Sequence, residues 1–164
     1  MNIYKLPYFG EIDLDEPAEY YDVDIEFEGN TIQLDINTES ESVGKHLMDI
    51  VKKFLESLTS YKVKAKAAIL ANFESGGMVK EYIEHHLEII DEDELEIILR
   101  NANHKLSKEQ QLLSLIHFVR LGFYLDSEEA FAVMDYTIGR DITQYLVVTF
   151  FNNSGEITSI TMES

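Results

Sequence analysis

The stretch Tyr20–Asn37, YYDVDIEFEGNTIQLDIN, decides the fold class. Val23, Ile25 and Phe27 alternate with Asp22, Asp24 and Glu26. After Glu28-Gly29-Asn30, Ile32, Leu34 and Ile36 alternate with Gln33 and Asp35. Apolar residues at period two mark a strand with one buried and one wet face, and a Gly-Asn step between two such runs marks a hairpin.

Downstream the period changes. Val43, Leu47, Ile50, Val51, Phe54, Leu55 and Leu58 fall on one helical stripe, which predicts a helix over 39–58 with Thr38 and Glu41 as a capping box. A second helix is expected over 61–74, stopped by Gly76-Gly77, because glycine readily takes the left-handed conformation at a helix end. Val79, Tyr82, Ile83, His86, Leu87 and Ile90 predict a third over 78–90. The acidic run Asp91–Glu94 opens a fourth over 93–102, and Ser107 with Gln110 caps a short fifth. From about residue 115 the period returns to two. His117, Val119, Leu121, Phe123 and Leu125 are expected on one strand face, and Phe131, Val133 and Asp135 on the next. Tyr145–Phe151 is apolar on both faces, as in an interior strand, and a last strand follows over 156–162. Strands flanking a block of helices imply an α+β domain spanning 1–164. Its mostly antiparallel sheet is built from both ends of the chain, with the central helices packed on one face. Pro7 and Pro17 lie in the first segment, among short extended pieces.

Composition narrows the function classes. Asp and Glu total 31 against 13 Lys and Arg, a net charge of -18. Such a field repels phosphate backbones and anionic lipid surfaces, so neither nucleic acid nor a membrane is the expected partner. A basic protein or a cation is what it would attract, and solubility alone is the competing account. Lys52, Lys53, Lys62, Lys64 and Lys66 lack aromatic interleaving and read as local charge balance. The absence of Cys removes disulfides, thiolate metal sites and thiol nucleophiles. The start, MNIYKLPYFGEID, turns acidic at Glu11 without an apolar core, so a signal peptide is not expected and a cytoplasmic location is. The chain carries no P-loop, no dinucleotide-binding glycine fingerprint and no G-x-S-x-G turn.

Three groups of residues could carry binding or chemistry. Asp22, Asp24, Glu26 and Glu28 would line one strand face about 7 Å apart, either as a site for a cation or basic partner or as a solvated face that discourages aggregation. His86 lies in an apolar stripe, as a satisfied core histidine would. His85 shares a helix face with Glu81 and Glu88, a thin basis for a metal site, and no tightly bound metal or other cofactor is expected. The segment Asp135–Tyr145 reads as a loop that gathers Tyr136, Arg140, Asp141 and Tyr145. Arginine offers a forked donor and tyrosines flat amphipathic surfaces, while in the plainer reading Arg140 simply pairs with a carboxylate.

Ile3–Leu14 (IYKLPYFGEIDL), Asp135–Val148 (DYTIGRDITQYLVV) and Ile160–Ser164 (ITMES) resemble the bacterial domain-of-unknown-function family numbered 2004. The resemblance spans most of the chain and is weakest over the middle helices. It implies small single-domain cytoplasmic proteins and no established activity, cofactor or catalytic residue. The favoured expectation is a non-enzymatic interaction module, of an immunity or regulatory kind, that binds a basic partner. The alternative is an enzyme or metal-dependent domain using the Asp22/Asp24/Glu26 row or the 135–145 segment.

Overall fold

The computed structural model describes residues 1–164. The chain opens with a small hairpin, β1 (Ile3–Leu6) and β2 (Gly10–Asp13), followed by β3 (Tyr20–Phe27) and β4 (Asn30–Asn37). Five helices follow: α1 (Lys45–Glu56), α2 (Leu58–Glu74), α3 (Met78–Ile89), α4 (Glu92–Ile98) and α5 (Lys108–Leu113). Four strands complete it: β5 (His117–Tyr124), β6 (Ala132–Thr137), β7 (Leu146–Phe151) and β8 (Ile157–Glu163). β3 to β8 form one six-stranded sheet in sequence order. Every neighbouring pair is antiparallel except β4 and β5, which run parallel. A parallel step needs a long crossover, and the five helices are that crossover. The protein is therefore α+β, its sheet built from both ends of the chain and its helices packed on one face.

The period-two reading of 20–37 corresponds to β3 and β4, except that Asn30 is not part of the turn but pairs with Phe27 as the first residue of β4. Glu28 (φ 49°) and Gly29 (φ 88°) form a two-residue turn with both residues left-handed, the geometry whose twist matches that of paired strands. Ile32, Leu34 and Ile36 point into the core, where they join Leu121, Phe123, Met134, Val147 and Phe151. On the helical side Phe54 of α1 is the hub. Its ring stacks on Tyr61 at 4.2 Å and meets Phe123 at 5.7 Å and Phe151 at 5.9 Å. The β1–β2 hairpin buries Leu6 and Ile12 in the same core, and Tyr4 donates to Asp49 of α1 at 2.6 Å.

Several local expectations need correction. Residues 38–44 are not helical. Asp126 takes up the Ser40 hydroxyl and the Glu39 N–H, and Thr38 bonds to the Ser40 N–H, so Thr38 shapes a loop and caps nothing. The helix starts at Lys45. α4 ends at Ile98, short of the expected 102. The stop after α2 is as expected: Gly76 takes φ 78°, and the Gly77 N–H reaches back to the Asn72 carbonyl at 2.9 Å. Ser107 caps α5 by accepting from the Gln110 N–H. In β5 a bulge between Phe118 and Arg120 breaks the alternation. Phe118 joins Leu121 and Phe123 in the core, so His117 and Val119 do not share their face.

Candidate functional site

The sheet face turned away from the helices carries the polar residues of the alternating patterns. On β3 these are Tyr20, Asp22, Asp24 and Glu26, all exposed. Glu28 does not continue the row. Its turn conformation sends the side chain to α2, where Lys62 bonds it at 2.6 Å and Thr59 at 3.1 Å. Glu26 is held by the Thr31 hydroxyl across the hairpin. Because β3 is the end of the sheet, its outer edge has no neighbour. Phe27 and Asn30 flank a two-residue turn and form a hydrogen-bonded pair. Pairing then alternates, so Asp22, Asp24 and Glu26 turn their N–H and C=O groups toward the free edge. The same three residues therefore display both carboxylates and free backbone donors and acceptors.

At the centre of this face lies a charged network absent from the sequence expectations. Arg120 of β5 is clamped by Asp35 of β4 through two parallel hydrogen bonds, Nε to Oδ2 at 2.7 Å and Nη2 to Oδ1 at 2.9 Å. Nη1 donates to Asp135 Oδ2 of β6 at 3.1 Å, and Nη2 to the Tyr124 hydroxyl at 2.8 Å. The Asp35 side chain is 0% exposed, that of Asp135 8% and that of Arg120 20%. Asn37 donates to Asp35 at 2.7 Å, completing its satisfaction. Register explains the meeting: Arg120 sits opposite Asp135, and Asp35 opposite Gly122. Gly122 keeps the path open, since a Cβ there would lie 2.8 Å from both Arg120 Cζ and Asp35 Oδ1. Burial alone would lower the guanidinium pKa. Its bonds to Asp35 and Tyr124 and the two carboxylate charges reverse this and hold it above its ordinary value. Burial raises the Asp135 carboxyl, and Arg120 only partly offsets the rise. Two carboxylates share one guanidinium, leaving the network with an excess negative charge.

Two clefts flank the network, and no helix residue lines either. One, of about 430 Å³, runs over β5–β8 past Arg120, Asp135, Val133, Val148 and Phe150, with Glu163 at its rim. The other, of about 510 Å³, brings Asp24 and Gln33 beside Arg140 and Asp141. Asp24 of the acidic row and part of the 138–145 loop thus face one groove, which Asp22 and Glu26 do not line, and Arg140 makes no ion pair, contrary to its plainer reading. Tyr136 and Tyr145 do not join them. Tyr136 lies in β6, not in a loop, and its ring is buried beside Phe118, with its hydroxyl donating to the Lys62 carbonyl. Tyr145 packs edge-on against His85 at 5.0 Å, and its carbonyl accepts from Tyr82. The position of Tyr136 follows from strand parity: it is next to outward Asp135 and so must point inward.

His86 is fully buried and satisfied, with Nδ1 at 2.7 Å from the Tyr82 carbonyl and Nε2 at 2.8 Å from the Thr143 hydroxyl. His85 turns its ring to Tyr145 and His86, and its Nε2 is buried without a partner. No three His, Asp or Glu side chains converge as a metal ion would require. A wider concavity of about 1090 Å³ lies between α4 and α5, where Glu92, Asp93 and Glu96 are mixed with Arg100 and Lys108 and converge on nothing. No helix is long and apolar enough to cross a membrane. No protein-family model, curated protein or solved structure matches the chain.

Proposed function

We propose that this protein is a non-enzymatic binding module that takes a basic protein partner along the β3 edge and the open face of its sheet. The observation that carries the reading is the coincidence on β3: Asp22, Asp24 and Glu26 supply exposed carboxylates and, at the same positions, unpaired backbone groups. An extended segment with Lys or Arg at alternate positions matches both. Its main chain would add a seventh strand, and its side chains would meet the acidic row. The net charge of -18 steers such a partner toward the face. The resemblance of three stretches to a family of small bacterial proteins supports a cytoplasmic role of an immunity or regulatory kind. A catalytic reading has less support: Ser127 lines the cleft with Asp135, but its hydroxyl accepts from the Ala130 N–H and no hydrogen bond joins it to a base.

The test is kinetic. A partner recovered from native lysate is measured at about 0.1 M and about 1 M salt, between which the Debye length falls from about 10 Å to about 3 Å. The association rate should drop steeply with salt. Replacing Asp22→Asn, Asp24→Asn and Glu26→Gln together should slow association more than it speeds dissociation and leave stability level or slightly higher, because like-charge repulsion along the row is relieved. An acidic or neutral partner, or an on-rate indifferent to salt, would remove the reading.

A further inference from the structure

The cleft over β5–β8 has features of its own. Its walls are apolar, formed by Val133, Val148, Leu146 and Phe150. It holds Asp135, whose side chain is 8% exposed, together with the Arg120 that bonds it. Asp135 Oδ2 accepts from Arg120, and no hydrogen bond reaches Oδ1. The two-bond clamp on Asp35 fixes the guanidinium, whose bond to Asp135 reaches Oδ2 and not Oδ1. Glu163 adds a second, exposed carboxylate at the rim. An apolar slot with an incompletely neutralised carboxylate at its base calls for a cation on an apolar stem. A single free acceptor oxygen suits a compact ammonium better than a guanidinium, whose planar fork needs two.

We propose that this cleft is a binding site for a primary ammonium group on an aliphatic stem, supplied either by a lysine side chain of a partner or by a free alkylamine. The site is independent of the β3 edge, since the two share no residue, and it stands or falls separately from the proposed partner mode.

The experiment is a two-dimensional amide NMR titration of the folded protein with n-butylammonium chloride. n-Butanol serves as the uncharged isostere, and ionic strength is held constant with NaCl. Butylammonium should give saturable shifts at Val133, Asp135 and Val148 with a Kd on the order of millimolar, as a five-atom ligand allows, and butanol should bind at least about tenfold more weakly. Glu163→Gln should weaken butylammonium about twofold to threefold, the scale of one exposed charge. Asp135→Asn should abolish binding. Leu146→Trp fills the slot and leaves the charges in place, so it should abolish binding even if the Asp135 variant is unfolded. The triple β3 variant should leave the affinity unchanged. A peptide with one internal lysine that binds more tightly than butylammonium identifies the source as a partner side chain, and the reverse order identifies a free amine. Equal binding of butanol, unsaturable shifts spread over β3, or no effect of Leu146→Trp would overturn the proposal.

Discussion

Arg120 shows how one side chain can join three strands. It ties β4, β5 and β6 through carboxylates 85 and 15 residues away in the chain. A buried ion pair of this kind adds little net stability over an apolar packing, because desolvating the charges consumes most of their attraction. Breaking it is another matter. Arg120→Met would strand Asp35 and Asp135 without a counter-charge, and we expect a loss of about 3–5 kcal/mol in urea unfolding at neutral pH. A loss under about 1 kcal/mol would show that water reaches both carboxylates. The glycine next to the pair matters for the same reason. Gly122 is not needed for its backbone freedom but because the arginine lies across the place where a Cβ would stand.

Among the elements, α1 does most to join the helical layer to the sheet. Its residue Phe54 touches α2 through Tyr61, the sheet through Phe123 and Phe151, and Phe131 just before β6. Phe54→Ala should therefore cost about 3–5 kcal/mol, because a cavity ringed by stiff aromatic side chains cannot collapse. That is a large share of a typical total of about 5–15 kcal/mol. The measurement is the shift of the denaturation midpoint at an unchanged slope, and a near-neutral result would mean that Tyr61 swings in to fill the space. The strands carry a different lesson. β3 and β4 keep the alternation that defines them, whereas β5 changes face through its bulge, which places Phe118 in the core, while Arg120 lies on the open side by alternation with Leu121 and Phe123.

For the molecule as a whole, charge and pH act through a few buried groups. Burial holds the His86 imidazole below its ordinary value of about 6.5, and His85 pushes the same way against the opposing bond to the Tyr82 carbonyl. The unfolded chain thus binds a proton that the folded one resists. The stability this contributes is complete above about pH 6.5 and is lost as pH falls through the lower folded value. We expect the urea midpoint to fall between pH 7.5 and pH 5.5, and His86→Gln to flatten that fall; equal slopes for both proteins would exclude His86 as the cause. Asp135 acts with the opposite sign. Burial raises its carboxyl despite Arg120, so its contribution grows as pH falls through its folded value toward the ordinary carboxylate range.

The sequence by itself determined what depends on near neighbours. The period-two run of 20–37, the glycine stop after α2, the Ser107 cap and the apolar stripe of α3 are set by local sterics and by which face must be dry, and each appears in the structure. Its acidic row was legible for the same reason, except for Glu28, whose turn conformation sends it to Lys62. Parity misplaced Val119, because the bulge that shifts it forms only against β6. Tyr136 was misplaced by reading its strand as a loop, since the polar residues around it look like a connection until β5 and β7 flank them. The central network was invisible for a stronger reason. Asp35 reads as one wet residue of a hairpin and Asp135 as a strand residue beside Phe131 and Val133, Arg120 falls between two apolar positions, and only the parallel pairing of β4 with β5, next to the β5–β6 pair, brings all three together. That pairing spans five helices, so its register is decided by how the helical layer packs and not by any pattern along the chain.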